Sequence, residues 1–205
     1  MTFWLILVLL LLALAWIFNG IRRIGNVSHG PKVEARPNRA LLLIDLQTVF
    51  WDGDIYDNQA KSDAEAAVLS ASARARKQGD PIIALRQEWS IPSTKLVARL
   101  MMKGQAIAGS AGTEVAAPFS GLADHMIVKR VQDAFETGEL DQLLKTLNVG
   151  SLRIAGLDGN YCVAKTAEAA ILRGYAVELA KEAILTADPK AGQKTFAALA
   201  NMGVT

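Results

Sequence analysis

The sequence predicts an α/β fold: a three-layer, Rossmann-like arrangement in which a mainly parallel sheet of five to six strands carries helices on both faces, with an N-terminal transmembrane helix attached. Three observations predict it. From residue 40 onward, short apolar runs alternate with stretches of helical length, and strands separated by helices need crossovers and therefore pair in parallel. Residues 40–46 are apolar except for Asp45, as expected of a strand covered on both faces. Residues 2–18 carry no charge. As a helix they would rise about 26 Å, close to the hydrocarbon thickness of a bilayer.

The elements follow in order. Trp4 and Trp16 fall near the ends of the apolar segment, where indoles favour the membrane interface. A cleavable signal peptide is the competing reading, with Ala13 and Ala15 as a small-x-small site, but no positive charge precedes the apolar run. Residues 20–39 are rich in Gly, Pro and charge, and read as a basic linker; His29 lies there as a solvated residue. After the strand at 40–46, residues 58–78 form an Ala-rich helix stopped by Gly79, and residues 81–85 a second strand. Residues 95–102 are helical, 104–120 form a Gly-rich loop, and 126–128 give a third strand. A helix at 139–147 precedes the fourth strand at 152–155. A helix at 161–173 ends at Gly174, a fifth strand covers 176–180, and a last helix covers 189–202.

Composition divides the chain. With 205 residues, 51% of them hydrophobic, it can bury one large core, so residues 1–19 are expected as the anchor, 20–39 as the linker and 40–205 as one domain. Residues 20–39 hold five basic residues against Glu34, or +4; the formal charge of the whole chain is +2, which leaves residues 40–205 at −2. No basic, aromatic-interleaved patch is present, so nucleic-acid binding is excluded. The positive flank places the domain on the cytoplasmic side of a single-pass anchor. A single cysteine excludes an intrachain disulfide and any Cys-rich metal centre.

Ligands of such sheets bind beyond the carboxyl ends of the strands. Asp45 ends the first strand, Lys129 ends the third, and Cys162 opens the helix after the fourth. A carboxylate nearly inside a strand needs a partner to offset its desolvation. A thiol at a helix N-terminus faces unpaired N–H groups, which predicts a depressed pKa. Together the three form a nucleophile, a base and a cation suited to attack on a carbonyl carbon.

The residues that carry these roles resemble a known family, the isochorismatase-like cysteine hydrolases, which includes nicotinamidases and N-carbamoylsarcosine amidohydrolase. The resemblance rests on Asp45, Gln47 and Phe50, on Lys129 followed by Asp133, Phe135 and Thr137, and on the stretch from Gly156 through Cys162 to Ala170. It implies cleavage of a C–N bond in a small amide or N-carbamoyl compound through a cysteine thioester, with Asp45, Lys129 and Cys162 catalytic. It further implies an oxyanion site at the N–H groups of Asp158 and Cys162, a cis peptide at Leu157–Asp158, and assembly into a homo-oligomer. Phe50, Trp89, Phe135 and Tyr161 are expected to bind the substrate.

The chain departs from the family in two places. Nicotinamidases hold a metal with an Asp and nearby histidines after the first and second strands; here Asp52, Asp54 and the segment from Arg86 to Ser90 contain no histidine, so no metal and no other cofactor is expected. The sixth strand of the family would have to follow Thr205, leaving a truncated sheet edge or one completed by a second subunit. Two rivals remain at this stage. One is a catalytically silent, membrane-tethered binding module with the hydrolase fold. The other is a nucleotide-dependent enzyme, which the missing phosphate-loop glycine patterns disfavour.

Overall fold

The computed structural model describes residues 2–205; Met1, part of the expected anchor, lies outside the described residues. Five parallel strands form one sheet in the order β3-β2-β1-β4-β5. They are β1 (Asn38–Ile44), β2 (Ile82–Gln87), β3 (His125–Lys129), β4 (Val149–Gly156) and β5 (Ala176–Ile184). The central strand shows why its sequence is almost wholly apolar. Ala40, Leu42 and Ile44 face one core, while Leu41 and Leu43 face the other. Alternate residues of a strand point to opposite faces, and here both faces are covered.

Among the described residues, seven α-helices accompany the strands: α1 (Thr2–Gly25), α2 (Thr48–Trp51), α3 (Asn58–Gln78), α4 (Pro92–Met101), α5 (Glu139–Thr146), α6 (Cys162–Arg173) and α7 (Pro189–Asn201). Asp57 caps α3 by accepting from the N–H groups of Gln59 and Ala60. Ala64, Val68, Ala71 and Ala75 of α3 build one face of the sheet; α5, α6 and α7 build the other. The loop from 104 to 120 is laced to the sheet edge, where Gln47 bridges Val115 and Trp89 bridges Ile107.

The N-terminal region departs from the expected linker. Helix α1 runs unbroken through residues 20–25 and docks on α4. Gly20 reads as a helix breaker in sequence, but it is a contact residue: a Cβ there would lie 2.8 Å from the Ser93 carbonyl oxygen. Beyond Gly25 the chain lies along the domain as a strap. Ser28 donates its N–H to Asp133 and accepts from Arg173 through both its carbonyl and its hydroxyl, and the N–H of Val33 donates to the Arg173 carbonyl. Arg173 is 1% exposed, bonded to Asp141 and stacked 4.6 Å above the Phe135 ring. At the other terminus, Thr205 donates to Val177 and accepts from Leu179, the pattern of a parallel ladder on the outer edge of β5.

Candidate active site

The chain runs outward from β1 to β2 and β3, then returns to β4 and β5 on the other side, so the crevice between the carboxyl ends of β1 and β4 is the switch point of the sheet. Asp45 leaves β1 there with φ of 52°, while its N–H still donates to Leu85. Strand register brings Gln87 beside Lys129. The Lys129 ammonium lies 2.9 Å from Asp45 Oδ2, 2.6 Å from Gln87 Oε1 and 3.4 Å from the Val131 carbonyl, an acceptor for each of its protons. Cys162 starts α6 and faces both charged groups. The three residues singled out in the sequence thus meet at one point.

Burial dominates the electrostatics. It raises the Asp45 pKa against the pull of Lys129. Burial works against the Lys129 charge, but the neighbouring Asp45 and Cys162 outweigh it and leave the ammonium pKa raised. The Cys162 thiol is also raised, by burial first and by the Asp45 carboxylate second. This corrects the expectation of a depressed thiol pKa. A helix N-terminus favours a thiolate only modestly, and that cannot offset desolvation beside a carboxylate. At rest, the thiol keeps its proton. Asp45 Oδ1 is buried with no hydrogen-bond partner, so an acceptor stands ready for that proton.

The loop between β4 and α6 approaches β1 closely. Gly156 has φ of 116°, and a Cβ there would sit 2.1 Å from the Ile44 carbonyl oxygen, so no other residue fits. The Leu157–Asp158 peptide is cis. The Asp158 side chain braces this loop, accepting from the N–H of Asn160, the N–H of Ala187 and the Tyr56 hydroxyl. Among the described residues, no hydrogen bond uses the N–H of Asp158 or of Cys162. Two donors are thus left free in the loop that leads into α6.

These groups open onto a cavity of about 420 Å³ lined by Asp45, Gln87, Asp158 and Cys162, by Tyr56, Gln105 and Gln132, and otherwise mainly by apolar and aromatic side chains. Phe50, Trp89 and Tyr161 line it. Phe135 does not, contrary to expectation. Asp133 accepts the Phe135 N–H and turns the ring into the core beneath Arg173 and beside Tyr175, at 1% exposure. Sequence reasoning missed Gln87 and Tyr56. The signal for Gln87 was available: a polar residue ending an apolar strand, as Asp45 and Lys129 do. Because Lys129 can only donate, Gln87 must present its oxygen to it, which leaves the buried amide NH₂ unpartnered.

The residues near Asp45 do not suit a zinc or iron ion. The Gln87 oxygen is committed to Lys129, Trp89 offers no lone pair, and Asp52 and Asp54 are exposed and outside the cavity lining. Among the described residues, no cluster of three or more His, Cys, Asp or Glu side chains is placed to hold a metal.

A family model described as the isochorismatase domain matches residues 39–205. The uncharacterized isochorismatase family protein YaaI of Bacillus subtilis (strain 168) is 26% identical over 153 residues, covering 73% of this chain and 82% of the relative. Among solved structures, the fold is similar to the pyrazinamidase of Pyrococcus horikoshii in complex with zinc, with a TM-score of 0.69 at 21% identity over 82% of this chain and 98% of the other. It is similar to the N-carbamoylsarcosine amidase of Thermoplasma acidophilum to the same degree, with a TM-score of 0.69 at 21% identity over 82% and 95% of the two chains.

Proposed function

The chain belongs to the isochorismatase family, and on that premise we propose that it is a cysteine hydrolase that cleaves the C–N bond of an amide or N-carbamoyl compound. The observation that carries this reading is the buried Lys129–Asp45 pair, 2.9 Å apart, facing Cys162 at the floor of an open cavity.

In the proposed reaction, Asp45 takes the thiol proton as the sulfur attacks the carbonyl carbon. The raised thiol pKa makes this transfer part of the attack, and the raised carboxyl pKa makes Asp45 the stronger base. The oxyanion forms next to the free N–H groups of Asp158 and Cys162. As the C–N bond breaks, Asp45 returns the proton to the departing nitrogen and a thioester remains. Water, deprotonated by Asp45, then attacks the thioester, releasing a carboxylic or carbamic acid and restoring the thiol. Lys129 holds the carboxylate in place and keeps its own charge throughout. What supports this reading over a silent binding module is the combination of Asp45, Lys129 and Cys162 gathered around an open cavity.

Helix α1 is long and apolar enough to cross a membrane. In the same proposal, its exposed N-terminal part is a single-pass anchor, Arg22 and Arg23 mark the cytoplasmic side, and residues 40–205 are the hydrolase domain. Cys162→Ala should end release of ammonia or amine, and acid-quenched wild-type enzyme should carry the acyl group on Cys162 by mass spectrometry. Undiminished turnover by Cys162→Ala would sink the mechanism.

A further inference from the structure

Part of the cavity wall belongs to the helix that reads as the anchor. Ile21 and Ile24 of α1 line it together with Val97 and Met101 of α4, and Met102 just after it. Ile24 is fixed in a small core with Trp89, Val97 and Ala98, and its carbonyl accepts the Gln132 N–H at 3.1 Å, so this wall is a docked part of the domain. Gln105 and Gln132 also line the cavity and are partly exposed, but its most exposed lining residues are apolar or aromatic. Ile21, Ile55, Met101 and Tyr161 are 44%, 47%, 70% and 55% exposed, and Leu100 next to Met101 is 67% exposed. Exposed apolar side chains gathered at a cavity mouth fit contact with an apolar partner or ligand better than a small polar amide.

The same helix continues from the rim into the exposed apolar segment. Phe18, 68% exposed, is one helical turn from Ile21, or about 4.5 Å along the axis. The cavity mouth is therefore held at the boundary between the membrane segment and the domain. We infer that the substrate is an amphiphilic amide drawn from the bilayer, with its amide at Cys162 and an alkyl chain lying along Ile21, Ile24, Val97 and Met101. The inference rests on the amidase reading of the site and names the substrate class for it.

The test uses the full chain in vesicles of phosphatidylcholine and phosphatidylglycerol, with unbranched primary amides from acetamide to decanamide as substrates and ammonia release as the readout. Each methylene buried along the wall should raise kcat/KM by roughly two- to fourfold, so the methylenes added between acetamide and decanamide should together give a gain of roughly 250-fold or more. Met101→Glu and, separately, Ile21→Asn should lower the ratio of long-chain to short-chain kcat/KM by about tenfold or more. Both positions are partly exposed, so both variants should fold. Turnover that is flat or falling with chain length overturns the amphiphile and leaves the amidase standing. Turnover of no amide at any length, by wild-type protein, overturns both.

Discussion

At the residue level, the proposed mechanism depends on a proton that Cys162 holds until substrate arrives. Since burial raises the Cys162 thiol, iodoacetamide should alkylate it more slowly than free cysteine at neutral pH; faster labelling would mean that the thiolate is populated at rest and that Asp45 is not needed as a base. The pH profile follows from the carboxyl. Protonated Asp45 cannot accept the thiol proton, and its pKa is raised, so kcat/KM should fall with decreasing pH through a limb above the usual carboxylate range. Lys129, also raised, should add no alkaline limb near neutrality. An acid limb at the ordinary Asp value would count against burial as the controlling effect. Gln87→Leu removes an acceptor from a fully buried ammonium and should cost about 2 kcal/mol of stability, read as a lower denaturation midpoint with unchanged slope.

At the level of elements, legibility followed how completely packing decided each residue. The first strand could be read because both its faces are buried, and Asp45 stood out as the one polar interruption. Helix α3 could be read because Asp57 and Gly79 mark its ends with local chemistry. Strand β5 runs to Ile184, beyond its expected end, because the exposed Lys181 and Glu182 hide its continuation. Phe135 was misplaced because its burial depends on Arg173, 38 positions later in the chain, which no local pattern announces. Continuity through Gly20 was equally hidden, since only the approach of α4 explains a glycine there. Gly20→Val should therefore separate α1 from α4 and leave the sheet intact: amide hydrogen exchange should accelerate in α4 and not in β1. Unchanged exchange in α4 would remove the docking role of Gly20.

At the level of the whole molecule, the N-terminal region is held to the domain by the α1–α4 contact, by the Ile24–Gln132 hydrogen bond and by the strap pinned at Ser28 by Arg173 and Asp133. Full-length protein should float with vesicles and resist alkaline carbonate, while a chain beginning at residue 20 should stay in the supernatant; co-flotation of both would place membrane affinity in the domain instead. The unbroken path of α1 from apolar segment to cavity wall also decides how such an enzyme must be measured. In the proposed anchored state, the domain would turn about the helix axis without tumbling and would meet an amphiphilic substrate by lateral diffusion in two dimensions. Its rate would then follow the mole fraction of amide among the lipids, and adding inert lipid at constant total amide should slow it by surface dilution.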